Sequence, residues 1–245
     1  MSPSELLGGG MEIHKPKPWH GLREFLKEYL IVVVGVLTAL AGEQLVEAQR
    51  NHELVSRGEE ALRENFKRFV RFSAIADREA PCMTARAAEI REILDAAART
   101  RRLPRIAQIP EPMPVPWQID TWDAMVAAGA APHLPQQKIV LYSRIAMSAV
   151  DVYAAATHEW EEWRTLQSLV GPARPFSEAE EAQARNTLAL AVGHAEMVRF
   201  FAAHTVQRIE RTNLLSHKDR ADATDEGQRD GYATAMCQPI VASSE

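Results

Sequence analysis

The sequence lacks the short motifs that usually identify an enzyme. Its 245 residues contain no G-x-S-x-G, no P-loop motif, no G-x-G-x-x-G and no C-x-x-C. Nucleophile-elbow, nucleotide-binding and thioredoxin-like chemistries therefore have no support in the sequence. No histidine has a glutamate three residues before it, which excludes the Glu-x-x-His ligand pairs of di-metal helical bundles. The sequence predicts a protein without catalytic activity and without a cofactor.

Positive charge, glycine, proline and cysteine are also scarce. Lysine and arginine total 28 against 33 acidic residues, and the net charge of −5 provides no basic field for nucleic acid. With only 12 glycines and 14 prolines, collagen-like and low-complexity designs are excluded. The whole chain is 46% apolar and 25% charged. Leucine, valine and alanine dominate it, which favours an all-α protein of one or two domains.

One long uncharged run, Tyr29 to Gly42, reads YLIVVVGVLTALAG and is apolar on every face of a helix. With its apolar flanks it extends over residues 22–46, enough at about 1.5 Å per residue to cross a hydrocarbon core of about 30 Å. Lysine and arginine are more frequent before this run than after it, which places the N-terminus in the cytoplasm. The sequence thus predicts a cytoplasmic basic leader (residues 1–21) and an uncleaved signal anchor (residues 22–46) in a bacterial inner membrane.

Two other interpretations of this segment stay open. The A-x-A pattern of Ala39, Leu40 and Ala41 could direct signal peptidase to cut before Gly42, which would release a soluble periplasmic protein. The segment could also be a buried helix of a soluble protein. A helical pattern that continues through the cleavage point favours the uncleaved anchor.

Small residues recur four positions apart within the anchor and form a small-xxx-small stripe. Such a stripe lets a second transmembrane helix approach closely, either from another membrane protein or from a second copy of this chain. Small residues are also common in membrane helices that make no such contact. The residues predicted to make this helix–helix contact are Gly35, Thr38, Ala39 and Gly42.

Apolar spacing after the anchor predicts a helical exported domain over residues 47–217. Pro81 fits the first turn of its second helix, and the Ser177-x-x-Glu180 pair is a capping box at the start of its last. Four long helices with short connections predict an antiparallel four-helix bundle. The expected helices are 47–78, 82–101, 120–129, 136–170 and 177–216.

Prolines concentrate in residues 104–119, which predicts an extended loop because each proline lacks the amide donor of a regular element. Trp117 and Ile119 would pin this loop to the domain. A polyproline ligand for an aromatic groove is the alternative.

The tail, residues 218–245, is charged and is expected to be disordered apart from Tyr232, Met236 and Cys237. Cys82 and Cys237 are the only cysteines. In an oxidising periplasm they are natural disulfide partners, which would tie the tail to the domain. Two unpaired buried thiols are the alternative.

The predicted helix 136–170 carries two candidate ligand sites. Its aromatic side chains could line a pocket for a lipid-like or aromatic molecule, or could simply be core; they are Tyr142, Tyr153, Trp160 and Trp163. His158 and Glu162 share one helix face and could bind a metal with help from His194 or His204, or could form a solvated pair.

Three segments occur in a familiar order: MEIHKPKPWHGLREF from Met11, the membrane run from Ile31 to Leu40 with Glu43-Gln44 after it, and a block from Thr121 to Pro135 containing TWDA and GAAPHLP. They resemble an uncharacterised family of bacterial single-pass membrane proteins with a basic N-terminus, one anchor and a helical domain. The resemblance implies an uncleaved anchor and a structural role for residues 121–135, with Trp122 packed and Gly129 ending a short helix. It implies no activity.

Together these features predict a non-enzymatic accessory subunit, scaffold or assembly factor of a membrane or envelope protein complex. Its expected partners are the lipid bilayer and other membrane proteins, with no nucleic acid. The alternative is a periplasmic helical-bundle sensor or carrier of a lipid-like or aromatic small molecule. A cavity beside the aromatic side chains would favour that alternative.

Overall fold

The computed structural model describes residues 21–112, 115–230 and 236–243. It is 80% helical, which confirms the all-α class. The chain divides into two compact units, Met1–Arg50 and Asn51–Glu245. The predicted leader, apart from Gly21, and Tyr232 in the tail lie outside the described residues.

The first unit contains the N-terminal part of helix α1, which begins at Leu22 and ends at Thr100. Its large apolar side chains are exposed, for example Val36 at 53% and Leu37 at 59%. This stretch and residues Gln136–Leu169 are long and apolar enough to cross a membrane. In the most apolar part of each, none of the residues of the former is buried and 33% of those of the latter are.

The predicted helix boundary at Pro81 is wrong, because Pro81 lies inside helix α1 and does not begin a new helix. A proline within a helix costs one backbone hydrogen bond and roughly 3 kcal/mol. Ile75 and Ala80 are buried before Pro81, and Ala87 and Ile90 are buried after it. Packing on both sides therefore keeps the helix continuous, and the predicted helices 47–78 and 82–101 are one element.

The second unit contains residues 51–100 of α1, two other long helices and several short elements. Its helices are α2 (Asp120–Ala127), α3 (Gln136–Leu166), α4 (Glu178–Arg211) and α5 (His217–Arg229), with short 3-10 turns at Ala131–His133 and Gln167–Leu169. The predicted capping box of Ser177 and Glu180 is present at the start of α4. Gly129 has a φ of 76° just after α2, as expected of a residue that ends a helix.

Two segments differ from the sequence prediction. The proline-rich loop contains strand β2 (Arg105–Gln108), and the tail contains α5 and strand β4 (Val241–Ser243). Strand β2 pairs antiparallel with β4, and β1 (Arg102–Leu103) pairs with β3 (Arg174–Pro175). The tail is therefore structured in these parts. Its strand β4 forms because the end of the chain returns to pair with β2, which is distant in sequence.

The disulfide between Cys82 and Cys237 is present, with the two Cα atoms 4.7 Å apart. Beside it Met236 is fully buried, and the Ile240 amide donates to Glu89 Oε2 at 2.9 Å. The predicted pairing is confirmed, and it fastens residues 236–240 to α1.

The core of the second unit is divided into two apolar clusters along the long helices. Cluster one joins residues 62–70 of α1 to the first half of α3 and the second half of α4. Cluster two joins residues 87–97 of α1 to the end of α3 and the first half of α4. As predicted, Trp117, Ile119 and Trp122 pack into cluster one.

Helix α5 packs closely on α1 at Gly227. A Cβ atom at Gly227 would lie 2.5 Å from the Arg71 carbonyl oxygen and 2.8 Å from Ala74 Cβ. Asp219, in the capping box of α5, also accepts from Arg63 at 3.0 Å. The absence of a side chain at Gly227 therefore permits this contact.

We expect Gly227→Ala to lower the free energy of unfolding by roughly 1–3 kcal/mol, since backbone would have to move. Gly193→Ala is the matched control, because Gly193 lies within α4 with nothing within 4 Å of the new Cβ. That control should be neutral or more stable by up to about 1 kcal/mol. Urea unfolding checks both; equal stability of the two variants would contradict the close contact.

Candidate functional site

The four aromatic residues predicted to line one pocket are not brought together. Tyr142 is buried in cluster one, where its hydroxyl donates to Glu59 Oε1 at 2.7 Å. Tyr153 is 40% exposed. Trp160 and Trp163 line two neighbouring cavities, so only these two remain candidates for contact with a ligand.

The two predicted metal ligands point to different partners. Glu162 pairs with His194, whose Nδ1 lies 2.8 Å from Glu162 Oε2. His158 is on the exposed side, 3.5 Å from Glu161, although its ring lies 5.4 Å from that of His194. His204 bonds to the Phe200 carbonyl oxygen. Among the described residues no group of three or more His, Cys, Asp or Glu side chains could hold a metal.

Two buried carboxylates, Glu79 and Glu159, lie where the two apolar clusters meet. On α1, Glu79 falls between Ala76 of cluster one and Cys82 of cluster two; on α3, Glu159 falls between Ala156 and Trp163 in the same way. The two residues are 7% and 6% exposed. We call this pair the carboxylate junction.

The carboxylate junction strongly disfavours negative charge. Burial raises the pKa of Glu159 from 4.5 to about 8, and the charges of Glu79 and Glu162 add to the effect. Burial likewise raises the pKa of Glu79 to about 7, with Arg78 opposing the rise and Asp230 adding to it. Both carboxyl groups therefore take up protons close to neutral pH.

Two cavities lie next to each other, and the smaller of them is lined by the carboxylate junction. The smaller, of about 40 Å³, is lined by both carboxylates and by the rings of Phe72, Trp117 and Trp160. The larger, of about 260 Å³, is lined mainly by apolar side chains together with Trp163. Met83, Ala195 and Arg199 line both, so the two cavities share a wall.

Polar groups around the cavities are incompletely paired. The indole Nε1 atoms of Trp117 and Trp163 are buried without a hydrogen-bond partner in the described part of the chain. Arg199 is directed to Asp77, with 3.8 Å between Nε and the carboxylate. Unpaired buried donors and acids are costly, so this region is unusual for a purely structural core.

Helical spacing in the sequence indicates that Glu159 is buried. It lies seven residues after Val152 and four before Trp163, both buried positions of α3, and so falls on the same helix face. A glutamate at such a position signals a buried acid. Glu79 has no comparable signal, because the predicted break at Pro81 placed it between two helices.

A second feature is an open groove between α3 and α4, which we call the α3–α4 groove. It has a volume of about 400 Å³, and Met147 and Phe200 line it at 70% and 59% exposure. Beneath them Arg208 and Thr205 both donate to Ser148 Oγ at 2.8 Å. The other lining residues are Arg144, Asp151, Phe201 and His204.

Comparison of the chain with protein-family models, with curated proteins and with solved structures finds no match.

Proposed function

We propose that this protein is a single-pass inner-membrane protein whose exported helical domain is an accessory, scaffold or assembly subunit of a membrane or envelope protein complex. The observation that carries the proposal is the exposed apolar surface of α1 before Arg50, of which no part of the most apolar stretch is buried. A surface of this kind is stable in lipid and unfavourable in water.

The orientation rests on charge and on the disulfide. Lysine and arginine are concentrated before the anchor, which favours a cytoplasmic N-terminus. Disulfides persist in oxidising compartments such as the periplasm, and Cys82 and Cys237 both belong to the second unit. In this proposal the second unit is a periplasmic, four-helix-bundle-like domain built from residues 51–100 of α1 with α3, α4 and α5.

The anchor also offers a surface for another membrane helix. Gly35 and Gly42 have open space where a side chain would be, and Thr38 satisfies its hydroxyl by donating to the Val34 carbonyl oxygen at 2.8 Å. Together with Ala39 they leave one side of the helix free of bulk. A partner helix, or a second copy of this one, could therefore approach closely there.

Contact with a partner outside the membrane is assigned to the α3–α4 groove. Methionine and phenylalanine are enriched at protein interfaces, and arginine is frequent among the residues that dominate binding energy. The groove exposes Met147 and Phe200 beside Arg144 and Arg208. Exposed apolar side chains next to arginines are a composition typical of binding surfaces.

We expect Met147→Asp and Phe200→Asp each to reduce recovery of a bound partner by at least about tenfold, because each buries a charge in the interface. Val126→Asp is the matched control, since Val126 is also exposed, at 49%, but lies on α2 outside the groove. Quantitative co-purification from native membranes measures the effect. Unchanged recovery with both groove variants would assign the contact to another surface.

A second function, a periplasmic sensor or carrier of a small molecule, is favoured by one observation. The cavities beside Trp160 and Trp163 provide space for a ligand within the second unit. The smaller of the two is lined by Trp160 of α3 and by the carboxylate junction.

A further inference from the structure

Two acidic side chains in the smaller cavity are buried where little in the described part of the chain stabilises their charge. Glu79 and Glu159 are more than nine-tenths buried, line the cavity and make no hydrogen bond within the described residues. Burying acidic groups without partners is unfavourable, so a group that supplies positive charge and N–H donors would be stabilised there.

Three aromatic rings form part of the remaining wall, which is otherwise mainly aliphatic and includes Arg199. The rings are those of Phe72, Trp117 and Trp160, and aromatic rings attract cations, tryptophan most strongly. Trp160 already carries one cation, the Arg164 guanidinium, 4.8 Å from its ring centre. A divalent metal would instead require about six oxygen ligands, and aromatic faces supply none. The surroundings therefore suit an organic cation better than a metal ion.

The adjoining cavity determines what is attached to that cation. Its volume of about 260 Å³ is lined by apolar side chains that include Ala80, Met83, Ala87 and Val192, and its polar lining residues are Thr84, Arg91, Glu196 and Arg199. An apolar cavity of about 150 Å³ is enough to hold benzene. The larger cavity can therefore receive a chain of several carbon atoms, while the volume of about 40 Å³ at the carboxylates accepts only a small head group.

We propose that the carboxylate junction and its two cavities bind a primary alkylamine in its ammonium form. The ammonium group lies between the carboxylates of Glu79 and Glu159, beside the rings of the cavity, and its three N–H groups donate hydrogen bonds to the carboxylate oxygens. The alkyl chain passes Ala195 and fills the larger cavity. Arg199, held toward Asp77, leaves both carboxylates to the ligand.

This site shares no lining residue with the α3–α4 groove. Loss of partner binding and loss of amine binding are therefore separable, and either proposal can fail alone.

The test is calorimetric titration of the full-length protein, in detergent and amine-free cacodylate buffer, with hexylamine and with hexan-1-ol. We expect saturable binding of one hexylamine per chain and at least about tenfold weaker binding of the alcohol, which lacks the charge. Glu159→Gln should weaken hexylamine binding by at least about tenfold for the same reason. Glu161→Gln is the matched control, since Glu161 is on the same helix and 60% exposed.

A second variant tests the proposed site without changing an acidic residue. Ala195→Leu places bulk between the two cavities, and it should weaken hexylamine binding while leaving the thermal unfolding transition in place. Equal affinity for hexylamine and hexan-1-ol, unchanged binding in Glu159→Gln, or no saturable binding at millimolar amine would overturn the proposal. Displacement of bound hexylamine by calcium would reassign the carboxylates to a metal and overturn it as well.

Discussion

Replacing Glu159 by glutamine should raise the free energy of unfolding above pH 8 and change it little below pH 4.5. The carboxyl group has a pKa of about 8 in the folded protein against an ordinary value of 4.5, mainly because it is buried. That difference corresponds to roughly 5 kcal/mol. The buried amide and the protonated acid that it replaces have similar desolvation costs, so these costs cancel and we expect a gain of up to about 5 kcal/mol at high pH.

The sign follows from proton binding. Between pH 4.5 and about 8 the folded protein holds a proton on Glu159 that the unfolded chain has already lost. Stability of the wild type must then fall as the pH rises through this range, and the loss is complete above the folded pKa. Glu79 adds a similar fall up to about pH 7, while Arg78 opposes it.

Urea unfolding across this pH range, in amine-free buffer, measures the effect. Glu161→Gln serves as the control, because it removes an exposed carboxylate from the same helix and should leave the pH profile unchanged. The other charged groups near the junction, Glu162, Asp230 and Arg199, stay in place in both variants. A wild-type stability that rises from pH 4.5 to 8, or a Glu159→Gln variant that is less stable at high pH, would contradict a buried acid pair.

Removing the disulfide should cause the largest loss of stability. The bond between Cys82 and Cys237 joins residues 155 positions apart. In the chain-entropy model a loop of that size corresponds to about 5 kcal/mol of constraint on the unfolded chain. We therefore expect the Cys82→Ala, Cys237→Ala double variant to be less stable by up to about 5 kcal/mol.

The same variant should loosen the C-terminal segment first. Without the bond, residues 236–243 are held by Met236, by the Ile240 amide on Glu89 and by the pairing of β4 with β2. Limited proteolysis should cut after Arg229 in the variant and in reduced wild type, but not in oxidised wild type. Reductant must have no effect on the double variant, and equal stability with and without the bond would contradict its structural role.

Much of the fold follows from local sequence. The α3 and α4 helices are predicted because apolar residues recur at helical spacing and Ser177 with Glu180 forms a capping box. The break at Pro81 is wrong because local propensity is outweighed by packing on both sides. Helix α5 is missed because it is mostly polar; its only local signal is Ser216 three residues before Asp219, which forms a second capping box.

Less of the candidate site than of the fold can be predicted from the sequence. Pairing of Glu79 with Glu159 depends on the alignment of α1 against α3, which no local pattern encodes. Trp160 and Trp163 are identified as aromatic positions, but whether they line one cavity or two depends on side-chain packing. The disulfide is the exception, because a chain with only two cysteines leaves a single intramolecular pairing.

The proposal of an anchored subunit is tested most directly by purifying the full-length protein from its native membrane in mild detergent and identifying its companions by mass spectrometry. The account predicts a membrane-bound chain that retains the peptides before Ala41, together with a second protein in stoichiometric amount. Recovery in the soluble fraction as a chain that begins at Gly42, without a companion, would contradict it.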